Sequence, residues 1–440
     1  MKSWLTGVAF GALLGVGVVG FASNGWSETS PVDPRQETYG KLDLFATILS
    51  LAQSDYVVEI DETEAMEAAI NGMLTSLDPH SGYMSPDDFR SMQVQTSGEY
   101  GGLGIEVTME DGFVKVVTPM DDTPASRAGL KPGDLFTSIN GKPIVGQTLS
   151  EAVKEMRGPI GTDIMLTVLR AGEDPFDVTL TREKIQPKSV VARIEDGDIG
   201  YIRVSTFNER TEDLLDEAIK KVKGDISGKP KGIVLDLRNN GGGLLDQAVA
   251  VSGEFLSSGE VVSTIGRRPT DIERYNARRG EEFKDVPIVV LINGGSASAA
   301  EIVAGALQDR QRARVLGMRS FGKGSVQTVI PLGAERGAVR LTTARYYTPS
   351  GKSIQALGIT PDIEVSNERF SEEDIARLKR FSEADLPNAL NNEETAQREG
   401  PQIPDQMPPE DYEGDDFQLE KALELLRSGS AMASAGANKG

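Results

Sequence analysis

The chain has 440 residues, 38% hydrophobic and 26% charged, the balance of a globular protein long enough for two or three domains. Acidic residues outnumber basic ones 67 to 46, a net charge of -21, which argues against a nucleic-acid partner and for a solvated acidic surface. The chain has no cysteine, so it has neither disulfides nor a thiol nucleophile, and its one histidine, His80, is the only residue a His-based triad could use.

Residues 4–22 carry no charge, follow Lys2, and end in Gly20-Phe21-Ala22, so residues 1–27 read as a signal peptide or signal anchor. Export to the periplasm or another extracytoplasmic space follows, with membrane contact only through this segment. After a polar linker, residues 36–95 read as a helical region. Leu42, Leu44, Phe45, Ile48, Leu49 and Leu51 form one apolar stripe, and Ala65, Met66, Ala69, Ile70, Met73 and Leu74 a second, both expected to pack into a core. Asp78-Pro79-His80-Ser81 closes this region in a turn where His80 has a structural, hydrogen-bonded role.

Residues 96–186 read as a separable module of short strands and one helix. Gly101-Gly102-Leu103-Gly104-Ile105 offers successive backbone N–H groups before a strand, and lacks the Lys-Ser/Thr ending of a phosphate-binding P-loop. Pro124-Ala125-Ser126-Arg127-Ala128-Gly129-Leu130 and the hairpin signal Asn140-Gly141 resemble the middle of a PDZ domain. Such a domain takes a ligand's chain end as an added strand beside its glycine loop. Gly102, Leu103, Gly104 and Ile105, with Leu149 and Val153 from the helix over 149–156, are then the substrate-binding residues. Arg157 closes that helix, as a regulatory contact to the next domain or as a plain helix-end charge.

From residue 187 the pattern is mixed α/β. A strand over 199–204 and a helix over 211–222 precede the buried strand 232–238, which runs into Asn239-Asn240-Gly241-Gly242-Gly243 and a helix over 244–256. The apolar run 288–292 is a second buried strand, followed by Gly294-Gly295-Ser296-Ala297-Ser298-Ala299-Ala300-Glu301 and a helix to 309. A serine at such a junction projects beside free N–H groups and the positive helix end. It needs a base, and no histidine lies near in sequence. Lys323, in Phe321-Gly322-Lys323-Gly324, can serve if burial keeps its amine neutral. With strand after Val326, Lys323, Ser325 and Gln327 share one face, and Gln327 can orient the lysine.

These motifs together resemble the C-terminal processing peptidases, PDZ-bearing enzymes with a serine/lysine dyad; the resemblance spans roughly residues 40–365. It implies that the second serine of Ser-Ala-Ser-Ala, Ser298, is the nucleophile and that Lys323, twenty-five positions on, is the base. It also implies Gln327 as the lysine's partner, and an oxyanion hole from Gly242 or Gly243 with Ala299. Ala300 stands where relatives often have a third serine. The implied fold is a layered α/β core of the crotonase/ClpP-like type with an inserted PDZ domain, the core covering 187–365. The implied function is an exported serine endopeptidase acting on protein substrates with apolar C-terminal tails, with an adaptor or self-association as further partners. A PDZ scaffold that binds tails without cutting them, and an acyl-transfer enzyme of the crotonase type, are the alternatives.

Arg345-Tyr346-Tyr347-Thr348-Pro349-Ser350-Gly351-Lys352 and Gly358-Ile359-Thr360-Pro361-Asp362 close the core. No group of His, Asp and Glu has metal-ligand spacing, so neither metal nor cofactor is expected. Residues 366–440 hold 17 acidic and 8 basic side chains and read as a mobile acidic linker. Within it, Phe417, Leu419, Ala422, Leu423, Leu425 and Leu426 form a short amphipathic helix capped by Asp415 or Asp416, and residues 428–440 read as a disordered end.

Overall fold

The computed structural model describes residues 34–120, 122–268, 270–278, 280–333, 335–370, 382–392 and 404–429. The expected signal segment 1–27 and all but the first two residues of the expected disordered end lie outside them. The chain divides into two compact units at Met66/Glu67. In the first, Pro34–Asp55 is a helix, but its apolar stripe is not buried: Leu42 and Ile48 are 57% and 56% exposed. The expectation of core packing fails because, among its described residues, this unit offers only the first turn of the helix Glu62–Thr75 as a partner. No helix among the described residues is long and apolar enough to cross a membrane.

The second unit is built on a six-stranded sheet. Its spatial order is Val190–Glu195, Ile199–Val204, Gly232–Asp236, Ile288–Ile292, Arg314–Gly317 and Ile363–Glu364, parallel except for the first strand. The central strands are continuous apolar runs because both faces are covered. Ile233, Leu235, Ile288, Val290 and Ile292 face the helices Thr211–Asp225, Leu245–Phe255 and Ala299–Asp309. Val234, Val289 and Leu291 face the C-terminal helix Phe417–Arg427, which buries Phe417, Ala422, Leu423 and Leu426. Its N-cap is Asp416, whose carboxylate accepts the Leu419 N–H.

A second sheet runs beside this core, with Gly337–Tyr347 between Gly82–Met84, Ser325–Gly333 and Glu260–Ile265. The PDZ module has its own core, including Val114, Phe136, Ile139, Leu166 and Val168. Its chain enters and leaves through one two-stranded stem, Tyr100–Gly102 against Glu183–Ile185. The linker expectation for the C-terminal region does not hold for its described parts, because residues 382–392 and 404–416 are tied to the core by hydrogen bonds to Phe321, Gln355, Glu364 and Arg238.

Candidate active site

Two strand ends are knit together beneath the site. Asn239 N–H donates to Asn293 Oδ1 and Asn293 Nδ2 returns a bond to Asn239 Oδ1, both at 2.9 Å. Ser296 is fully buried and donates to Leu237 O at 2.8 Å, so this hydroxyl is part of the scaffold. Ser298 follows at φ 55°, a conformation few non-glycine residues adopt, and it starts the helix Ala299–Asp309. Gly242 lies against it: a Cβ there would come within 2.8 Å of Ser298 Cβ, so only glycine fits.

The N–H of Ala299 donates to nothing among the described residues, as expected at a helix start, and neither does that of Gly243. Gly242 differs. Its N–H is held by Asn240 Oδ1 at 2.9 Å, so in this conformation Gly243 and Ala299 are the open donors of the expected set.

The lysine loop is fixed along its length. Phe321 N–H donates to Ser296 O, Ala356 N–H to Gly322 O, and Tyr346 N–H to Gly324 O. Gln355 Oε1 accepts Gly324 N–H at 3.0 Å, in contact so close that a Cβ on Gly324 would lie 2.1 Å from Gln355 N. Lys323 Nζ has no hydrogen bond or ion pair among the described residues. Burial depresses its pKa first and the Arg340 charge second, against weaker opposing effects of Glu383, Glu301 and Asp78. The direction is the one a neutral general base requires.

One residue joins the two halves, and the sequence reading passed over it. Glu301, fully buried at the third position of the helix Ala299–Asp309, accepts Ser298 N–H at 2.7 Å, Ser320 Oγ–H at 2.6 Å, Gly322 N–H at 2.7 Å and Lys323 N–H at 2.9 Å. Burial pushes its pKa up to about 7 despite these four donors. The spacing Ser298-Ala-Ala-Glu301 is a capping-box pattern and was the available signal.

Gln327 shares a face with Ser325, as period two requires; its Nε2 donates to Ser325 Oγ at 2.9 Å and Thr342 Oγ1 at 3.2 Å, and it makes no hydrogen bond to Lys323 among the described residues. Next to the glycine loop 239–243, Arg238 binds Asp236 and, through two 2.7 Å bonds, Asp416 of the C-terminal helix. Burial opposes ionisation of Asp236, but Arg238 and the Tyr201 hydroxyl outweigh it and hold its carboxyl below the usual range.

In the PDZ module a cavity of about 50 Å³ is lined by Gly102, Leu103, Gly104, Ile105 and Val153, as expected, and also by Tyr100, Val107, Met156 and Arg157. Leu149 is not part of the lining; it packs against the module's core. The N–H groups of Leu103 and Gly104 donate to nothing among the described residues. Among the described residues Arg157 makes no hydrogen bond or ion pair to the α/β core. Its guanidinium lies 4.2 Å from the ring centre of Tyr100, both in the lining of this cavity.

A layered α/β core with a serine turn, a lysine loop and an inserted PDZ module defines a serine peptidase of the PDZ-bearing kind. The comparisons agree. Peptidase family S41 matches residues 198–365, a PDZ domain residues 115–170, and the activating protease CtpB N-terminal domain residues 22–88. A carboxy-terminal-processing protease of Bartonella bacilliformis is 51% identical over 397 residues, 89% of each chain. A probable CtpA-like serine protease of Staphylococcus aureus is 37% identical over 75% of this chain and 66% of its own. The solved photosystem II D1 C-terminal processing protease is 29% identical, covering 81% of this chain and 95% of its own, with a TM-score of 0.45. The chain belongs to the carboxy-terminal-processing proteases of peptidase family S41, and it is a serine-type endopeptidase.

Proposed function

We propose that this peptidase cuts through an acyl-enzyme on Ser298, with Lys323 as its base. Ser298 Oγ attacks the scissile carbonyl carbon while Lys323 Nζ takes the hydroxyl proton. The negative oxygen rests on Ala299 N–H and on Gly243 N–H, or on Gly242 N–H once Asn240 releases it. Lys323 then gives its proton to the departing amine, and its neutral Nζ takes a proton from the water that splits the ester. The single observation that carries this reading is Glu301, one buried carboxylate bonded to the N–H of both Ser298 and Lys323. Gln327, bonded to Ser325 and Thr342, supports the strand beyond the lysine.

Substrates are unfolded chains with apolar C-terminal ends. Two open N–H groups at Leu103 and Gly104 suit a terminal carboxylate, and the small apolar cavity suits the last side chain. Export rests on the uncharged stretch 4–22. The test is to incubate wild type, Ser298→Ala and Lys323→Ala with an unfolded protein ending in apolar residues. Cleavage by wild type alone is expected; cleavage by Ser298→Ala would overturn the mechanism. Binding of the tail without cleavage by wild type would favour the scaffold.

A further inference from the structure

The lone histidine and a buried carboxylate meet close to the lysine loop, and the mechanism above uses neither. Glu383 has no exposed surface and sits in the short turn Glu383–Asp385, beyond the region that matches the peptidase family. Its backbone N–H donates to Phe321 O at 3.1 Å, inside the lysine loop. Its Oε1 accepts from Gln355 Nε2 at 3.1 Å, and Gln355 is the residue that holds Gly324 N–H. His80 Nε2 lies 2.9 and 2.8 Å from the two carboxylate oxygens. Further along the same segment, Asn392 Nδ2 donates to Gln355 O at 2.7 Å, and Asn388 Nδ2 to Thr75 O at 3.0 Å.

We propose that residues 382–392 form a strap of the active site, and that Glu383 is a positioning residue for Lys323. It acts on the lysine backbone through Gln355 and Gly324, and on the amine through its charge. This rests on the reading of Lys323 as the base.

A buried carboxylate with both oxygens engaged holds its partners in place, and the residues flanking Lys323 are among them. The charges that act on Lys323 come from four places: Arg340 on the strand Gly337–Tyr347, Glu301 on the nucleophile helix, Asp78 in the His80 turn, and Glu383 on the strap. Arg340 favours the free amine, while the three carboxylates favour the ammonium. Removing the charge of Glu383 therefore tips Lys323 toward the free amine and moves the acid limb of the rate profile to lower pH.

The test uses the full-length protein, an unfolded substrate, and kcat and KM measured across pH. Glu383→Gln is expected to lower kcat at the optimum by on the order of tenfold, leave KM unchanged, and displace the acid limb to lower pH. Glu383→Asp, which keeps the charge, should return the limb to its wild-type position. An unmoved acid limb in folded Glu383→Gln overturns the proposal whatever happens to kcat, because lost packing alone would not move a titration. Should Glu383→Gln not fold, Gln355→Met breaks the same link from the other side. A fall in kcat with the limb in place then supports the strap, and wild-type kcat overturns it. Lys323→Ala, read in parallel, separates the two levels. Cleavage by that variant refutes the base assignment, whereas an inactive Lys323→Ala beside an unmoved limb refutes only the strap.

Discussion

The catalytic centre and the PDZ groove differ in how their backbone polar groups are used. Around Ser298 and Lys323 the N–H groups of Ser298, Gly322, Lys323 and Gly324 are all bonded within the protein, and among the described residues those of Gly243 and Ala299 stay open. In the groove loop the N–H groups of Leu103 and Gly104 wait for a partner, and the module that carries them is joined to the core by a two-stranded stem. The backbone of the proposed centre is held by the protein's own bonds, whereas the groove loop keeps two N–H groups unbonded among the described residues. A preorganised centre contributes to the chemical step, and a groove completed by ligand contributes to capture. Variants in the two regions should therefore separate kcat from KM.

Glu301→Ala should be the most damaging change. It strands four buried donors at about 1 kcal/mol or more each, and it frees both the nucleophile turn and the lysine loop, lowering kcat by on the order of 10²- to 10³-fold. Stopped assays on the unfolded substrate check this, and a rise in KM at constant kcat would contradict it. Gly243→Ala comes next. Its φ is 143° and an added Cβ would meet Phe207 O at 2.0 Å, so the oxyanion loop must shift, at a loss of about 10²-fold in kcat.

Asp416→Ala removes one of the two carboxylates that Arg238 binds, leaving Asp236 alone, and takes away the N-cap of the C-terminal helix. A loss of about 3 kcal/mol in urea unfolding is expected. Glu301 also makes a pH-dependent contribution of similar size. Its folded value is raised from 4.5 to about 7, so this contribution to stability is complete below about pH 4.5 and is lost as the pH rises through 7. Glu301→Gln should abolish it, flattening the change in unfolding free energy between pH 5 and 8 by roughly 3 kcal/mol. The smallest effect belongs to the groove: Val153→Asp should raise KM for a tail-bearing substrate by about tenfold and leave kcat on a tail-less peptide unchanged.

The parts legible in the sequence were those set by local chemistry. Continuous apolar runs marked the strands buried on both faces, glycines marked the loops that approach Ser298 and Gln355, and Asp416 marked a helix start. The parts missed depend on partners far along the chain. Periodicity put Gln327 on the face of Ser325, where it lies, but its amide is taken up by Ser325 and by Thr342 of the neighbouring strand, a partner fifteen residues on. Glu383 sits in a stretch whose composition reads as linker, and its role comes from contacts with His80, Phe321 and Gln355, which no local pattern records. The exposed stripe of Pro34–Asp55 shows the converse, since apolar periodicity marks a face and says nothing of whether a partner covers it.

Glu301 ties the turn of Ser298, the proposed nucleophile, to the lysine loop. Quenching the enzyme in acid during turnover of an unfolded substrate, followed by peptide mass spectrometry, would locate the covalent intermediate. An acyl adduct on Ser298 in wild type that is absent from Lys323→Ala is the expected result. An adduct on another residue, or the same adduct without Lys323, would contradict it.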